Sequence, residues 1–215
     1  MSEIKNIIFD LGGVIINLDY SRTINEFNRL TNKPFETIFT QLQQSPLFDQ
    51  FDKGTISESD FFEELKNSLY DQTTREEVLH AWNAMLLDFP KERLELLLKL
   101  KSGYRVFLLS NTNETHVREL ESHLFQQHSY QNLETFFEKV YYSCRIGMRK
   151  PDREIFEFVL KENNLNKNET IFIDDSPQHI QGAMNTGIQS YYLTKGRDVV
   201  DLITELKLLP KESEH

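Results

Sequence analysis

Five short runs rich in Ile, Phe, Val and Leu, at residues 4–10, 104–110, 139–142, 170–174 and 190–193, punctuate the chain. They are too short and too apolar for surface helices, and such runs suit strands covered on both faces. Helical spacing fills the intervals at 91–101, 114–125, 152–163 and 177–186. Strand alternating with helix predicts an α/β fold built on a parallel sheet. Ser176 and Pro177 predict an N-cap followed by a first-turn proline, and Gly187 predicts the stop of that helix.

Residues 17–88 break this rhythm. They contain no buried-strand run but show helical spacing in INEFNRL, FETIFTQLQ, SESDFFEELKNSLY and REEVLHAWNAML, with Ser57 and Asp60 as a capping box. The expectation is a small helical domain, 17–88, inserted early into a core made of 1–16 and 89–215; a chain of 215 residues accommodates one or two domains. Phe27, Phe48, Phe51, Phe61, Phe62 and Trp82 fall in the insert at spacings that suit its core, with Trp82 and Asn83 as the candidates for substrate contact. The KESEH tail is expected to fray.

A net charge of −10 and the absence of any basic run argue against nucleic acid as a partner. No apolar run approaches the ~20 residues that span a bilayer. Cys144, the single cysteine, has no disulfide partner, and MSEIKNIIFD lacks the features of a secretory signal, so a cytoplasmic protein is expected. The histidines show no zinc spacing, and no GxxxxGK or GxGxxG segment is present.

The polar residues that matter stand where the apolar runs stop. FDLGGVI places Asp10 at a strand end with Gly12 and Gly13 behind it, and LLSNTNET places Ser110 and Asn111 ahead of a helix. GMRKPD puts Lys150 before Pro151, and FIDDS ends the fourth run with Asp174 and Asp175. Any one of these reads equally well as a turn or cap residue. Ligands of open parallel sheets bind beyond the carboxyl ends of the strands, so together the four segments converge on one mouth. Adjacent carboxylates at buried strand ends are costly unless something positive offsets them.

FDLGGV, LLSNTN, GMRKPD and FIDDS, in that order, resemble the four signature motifs of the haloacid dehalogenase superfamily of hydrolases. The likeness covers nearly the whole chain and is greatest to the branch containing alpha-D-glucose-1-phosphate phosphatases. It implies a modified Rossmann core with 17–88 as a helical cap. It further implies a phosphatase of small phosphorylated metabolites, with Asp10 as nucleophile forming an aspartyl-phosphate. Mg²⁺ would be held by Asp10, the Gly12 carbonyl, Asp174 and Asp175, with Lys150 as the catalytic cation and Ser110, Asn111 and Lys150 on the phosphoryl oxygens. The chemistry needs cations: a carboxylate ~4 Å from a phosphate dianion meets about 8 kcal/mol of repulsion at an effective dielectric of 20.

One position departs from the family pattern. Phosphatases of this kind carry a second aspartate two residues after the nucleophile as general acid, and here Gly12 stands in its place. Positioned acid catalysis is worth ~10²- to 10⁴-fold, so the resemblance implies a cap group or water in that role, or a good leaving group such as an anomeric sugar oxygen. Sugar 1-phosphates are therefore the expected substrates. Two alternatives follow from the same residues: a metal-independent haloacid-type dehalogenase, which the 174/175 pair disfavours, and a silent phospholigand-binding module. His116 is expected to be an exposed helical histidine and Arg149 a salt-bridging neighbour of Lys150.

Overall fold

The computed structural model describes residues 3–37 and 46–210. Five strands form one sheet: β1 (Asn6–Phe9), β2 (Arg105–Ser110), β3 (Lys139–Tyr142), β4 (Thr170–Asp174) and β5 (Gln189–Tyr192). Their order is β3-β2-β1-β4-β5 and every pairing is parallel. β1 sits at the centre with all four positions buried, three of them apolar, as a strand covered on both faces requires, and the fourth, Asn6, donates to Thr170 Oγ1 at 3.1 Å.

Side chains alternate across the sheet, and each face has its own helices. Ile7, Phe9, Val106, Leu108, Ile171 and Ile173 point to one side. They meet α5 (Lys91–Leu100), α6 (Glu114–His128) and α10 (Val199–Glu205). Ile8, Phe107, Leu109 and Phe172 point to the other, against α8 (Arg153–Glu162) and α9 (Pro177–Thr186). This is the doubly covered α/β layer arrangement expected from the strand and helix alternation.

Between β1 and α5 the chain is helical: α1 (Tyr20–Asn28), α2 (Leu47–Asp52), α3 (Glu58–Lys66) and α4 (Arg75–Asn83). These helices gather a separate apolar cluster that includes Phe27, Phe51, Phe61, Phe62, Leu65 and Trp82. Phe51 stacks on Phe61 at 3.9 Å, and Phe61 meets Trp82 edge-on at 4.9 Å; fully burying each such ring contributes roughly 1.5–3 kcal/mol. The two connections to the sheet run side by side, with Asn17 N–H donating to Asp88 O, Leu87 N–H to Asn17 O and Asp19 N–H to Met85 O. Glu58, paired with Arg75 within the insert, also binds Arg118 across the junction, where Lys53 pairs with Asp152 as well.

Several local expectations change. The reciprocal capping box lies at Thr74 and Glu77, the N-terminus of α4, and not at Ser57 and Asp60. Ser57 caps Asp60 N–H, but the Asp60 carboxylate accepts from the Ser57 hydroxyl; one methylene shorter than Glu, it does not reach back to the cap's backbone. Ser176 makes no side-chain cap bond, whereas Pro177 and the left-handed Gly187 (φ 87°) stand where expected. α2, α10 and the short α7 (Ser143–Ile146) carried no strong periodicity. Most of FETIFTQLQ and the KESEH tail lie outside the described residues. Among the described residues no helix is long and apolar enough to cross a membrane.

Candidate active site

Strand register brings the first two aspartates together. Phe9 pairs with Ile173 and the Asp10 N–H still donates to the Ile173 carbonyl, so Asp10 and Asp174 leave adjacent strands at one level. Asp175 follows Asp174 into the loop before α9. One carboxylate oxygen from each of Asp10, Asp174 and Asp175 lies within 4.8 Å of the other two. Gly13 makes this approach possible: its φ is +69°, and a Cβ there would stand 2.2 Å from Asp175 Oδ2. At Gly12 a Cβ would meet Leu18 Cδ1 at 2.7 Å, so a side chain enters only if Leu18 swings aside.

Lys150 is completely buried beneath this cluster. Its Nζ donates to Asp10 Oδ1 at 2.6 Å and Asp174 Oδ2 at 2.7 Å. Asn111 fixes it there, because the Asn111 amide donates to the Lys150 carbonyl (2.8 Å) and accepts from the Lys150 N–H (2.9 Å). Asp174 is further held by the Ser176 N–H at 2.7 Å and by His179 Nδ1 at 3.0 Å. His179 lies in the first turn of α9, five residues past Asp174 in DDSPQH, a spacing that could have suggested it.

The charges do not balance. Three carboxylates face one ammonium. Burial, with the like charges of Asp174 and Asp175, pushes the Asp10 carboxyl up to about 7 despite Lys150. Burial and Asp174 also raise Asp175, whereas Lys150 and His179 outweigh burial at Asp174 and hold it below the usual range. The Lys150 ammonium is raised: burial opposes its charge, but Asp10 and Asp174 prevail. An all-oxygen donor set with two uncompensated negative charges fits a hard divalent cation.

A cleft of about 610 Å³ opens over Asp10 and Asp175. Gly12, Ser110, Asn111, Asn113 and His179 line its sheet side, and Tyr20, Phe48, Asp49, Asp52 and Trp82 its helical side. The volume suits a small metabolite. Asp10, Gly12, Ser110, Asn111 and Asp175 therefore share this cleft, with Asp174 and Lys150 buried beneath it and not on its wall; of the two candidates for substrate contact Trp82 lines it and Asn83 does not. Ser110 is buried at the end of β2, and the Asn111 side chain is committed to Lys150.

Sequence reasoning misjudged His116. It is buried, not exposed: it stacks on Trp82 at 5.3 Å, its Nε2 lies 3.3 Å from the Trp82 carbonyl, and burial pushes it down to about 4. Trp82 closes the helical cluster and touches the cleft; Asn83 bonds Glu119. Arg149 pairs with Asp49 at 3.3 Å and Asp52 at 3.5 Å, tying the segment before Lys150 to α2. These two carboxylates went unnoticed because only the packing of α2 over the sheet edge brings them to the cleft.

Comparison with known proteins agrees with this arrangement. Residues 7–193 match the family described as haloacid dehalogenase-like hydrolase. D-ribitol-5-phosphate phosphatase of Bacteroides thetaiotaomicron is 30% identical over 195 residues, 91% of this chain and 94% of the relative. A sesquiterpene phosphatase of Aspergillus oryzae is 26% identical over 195 residues, 88% and 90% of the two chains. Among solved structures, a HAD family enzyme of Bacteroides thetaiotaomicron in complex with magnesium and inorganic phosphate superposes with a TM-score of 0.84 at 37% identity, covering 93% of this chain and 98% of the other. A HAD-like family hydrolase of Porphyromonas gingivalis gives 0.85 at 32% identity, covering 96% and 98%. These relatives do not single out the glucose-1-phosphate branch. With the motif segments at one mouth of a parallel sheet and a family match spanning most of its length, the chain belongs to the haloacid dehalogenase-like hydrolases.

Proposed function

We propose that this chain is a Mg²⁺-dependent phosphatase of small phosphomonoesters, its chemistry carried by a core of residues 1–16 and 89–215 under a helical cap of residues 17–88. The observation that carries the reading is the trio of Asp10, Asp174 and Asp175, with oxygens within 4.8 Å of one another and two negative charges in excess of Lys150. A metal-independent dehalogenase has no use for that excess beside an anionic substrate. The magnesium and phosphate complex of the similar Bacteroides enzyme supports the same choice.

Asp10, the Gly12 carbonyl, Asp174 and Asp175 would hold Mg²⁺, which when bound supplies positive charge against the phosphate dianion. Asp10 is the nucleophile: its carboxylate forms the bond to phosphorus and is released when water hydrolyses the aspartyl-phosphate. Lys150 orients Asp10 and lowers the field at its carboxylate from beneath. Asn111 positions Lys150 and, with its backbone N–H and Ser110, binds the transferring oxygens. His179 and the Ser176 N–H orient Asp174.

For the substrate, Gly12 favours an ester whose oxygen leaves easily, such as a sugar 1-phosphate. The similarity to D-ribitol-5-phosphate phosphatase favours a primary ester of a small polyol as a second reading. Phosphate release from glucose 1-phosphate, glucose 6-phosphate and ribitol 5-phosphate, each with Mg²⁺ or EDTA, tests both. Turnover that vanishes with EDTA and in Asp10→Asn is expected. Undiminished turnover in either condition refutes the reading, and equal kcat/KM for the two glucose esters refutes the leaving-group preference.

A further inference from the structure

If phosphate esters are hydrolysed here, a proton must reach the departing oxygen, and position 12 does not supply it. Leu18 Cδ1 occupies the space in which a side chain on Gly12 would grow. Among the described residues the ionisable groups on the cleft wall are few, and most are committed. His116 is enclosed between Trp82 and Asn113 and stays neutral. His179 is fastened to Asp174. Asp49 is half exposed and shared between Lys53 at 3.2 Å and Arg149 at 3.3 Å. Tyr20 is largely exposed at the cleft rim, and partial desolvation with the charges of Asp175, Asp10, Asp52 and Asp174 raises its hydroxyl above the usual phenol range, a poor donor at neutral pH.

Asp52 differs from each of these. It ends α2 and lines the same cleft as Asp10 and Asp175. Among the described residues its one ion pair is with Arg149 at 3.5 Å, and that guanidinium is divided with Asp49. No described donor makes a hydrogen bond to its carboxylate at ordinary length. Burial, only partly offset by Arg149 and reinforced by Asp49, pushes it up to about 6, the range in which a carboxylic acid both gives and regains a proton near neutrality.

Resting on the phosphatase reading above, we propose that Asp52 is the proton donor to the leaving oxygen and, in the second step, the base toward water, supplied from the helical insert in place of the acid absent at Gly12. In the first step the Asp10 oxygen bonds to phosphorus as the P–O bond to the alcohol breaks. The electron pair of that bond stays on the leaving oxygen and takes the Asp52 proton, so a neutral alcohol departs. In the second step the Asp52 carboxylate takes a proton from water as the water oxygen bonds to phosphorus. The bond to Asp10 breaks, giving phosphate, free Asp10 and protonated Asp52. The acid therefore arrives with the insert, so esters are cleaved only when the cleft is assembled around them.

The test is leaving-group dependence. Asp52→Asn and Asp49→Asn are compared with wild type, with Mg²⁺ present, on p-nitrophenyl phosphate and on phenyl phosphate, whose leaving oxygen is more basic. Asp52→Asn is expected to lose on the order of 100-fold in kcat/KM on phenyl phosphate and under ~5-fold on p-nitrophenyl phosphate. It is also expected to lose the basic limb of the wild-type pH profile. Asp49→Asn, which shares the Arg149 contact, controls for packing and should show no dependence on leaving group. Equal losses on both esters in Asp52→Asn, or none on either, overturn the assignment of Asp52 while leaving the phosphatase reading intact. Absence of wild-type turnover of both esters removes that reading and this one together.

Discussion

Replacing Lys150 with Met keeps an unbranched side chain, one atom shorter, and removes its charge. Two carboxylates that accept from Nζ at 2.6 and 2.7 Å are then left without their cation, one of them fully buried. Breaking a buried pair from one side costs about 3–5 kcal/mol, and two stranded partners argue for the upper part of that range. For a protein of this size each kcal/mol moves the thermal midpoint by about 2–4 °C, so a fall of about 8–20 °C is expected in EDTA. A second substitution should restore part of it: Asp10→Asn on the Lys150→Met background removes one of the stranded charges and is expected to be stabilising there. Differential scanning calorimetry of the single and double variants measures this directly, and phosphate release from the same samples should be lost in all of them. A midpoint for Lys150→Met within ~3 °C of wild type would mean that the aspartates go protonated at little cost, and the electrostatic account of the site would fall.

Two further predictions concern the same cluster. The Asp10 carboxyl is raised above its unfolded value, so its contribution to stability is full at low pH and is lost as pH rises toward about 7; Asp174 has the opposite sign, its contribution being lost on acidification. In EDTA the difference in midpoint between wild type and Asp10→Asn should therefore widen against the wild type from pH 4.5 to 7.5, and a flat difference contradicts the raised carboxyl. Gly13→Ala adds a Cβ 2.2 Å from Asp175 Oδ2 at a φ of +69°; it should cost about 1 kcal/mol or more of stability and weaken Mg²⁺ binding at least tenfold by calorimetric titration, whereas unchanged binding would show that Asp175 need not approach that loop.

The sheet was legible because strands covered on both sides must be apolar at nearly every position, and the runs ending at Phe9, Ser110, Tyr142 and Asp174 could be little else. The candidate site was legible for a related reason: once the strands are parallel, the residues following them share one edge. Asp52 and Arg149 were less visible, because their meeting depends on how α2 packs across the sheet edge, which no local pattern encodes. His116 was misread since a single histidine on an amphipathic helix carries no signal of a Trp82 ring above it. Asn111 shows a finer limit. Its backbone position followed from the end of β2, but the bidentate grip of its side chain on Lys150 joins segments 39 residues apart.

The paired connections at Asn17–Asp19 and Met85–Asp88 have an evolutionary consequence. Because the chain departs from and rejoins the sheet at neighbouring points, already hydrogen-bonded to each other, whatever lies between them is a closed excursion that the strands do not sense. Such a cassette can be lengthened, shortened or exchanged for little more than the slowly growing entropy of a larger loop, and a new helical insert can be tried over unchanged strand ends.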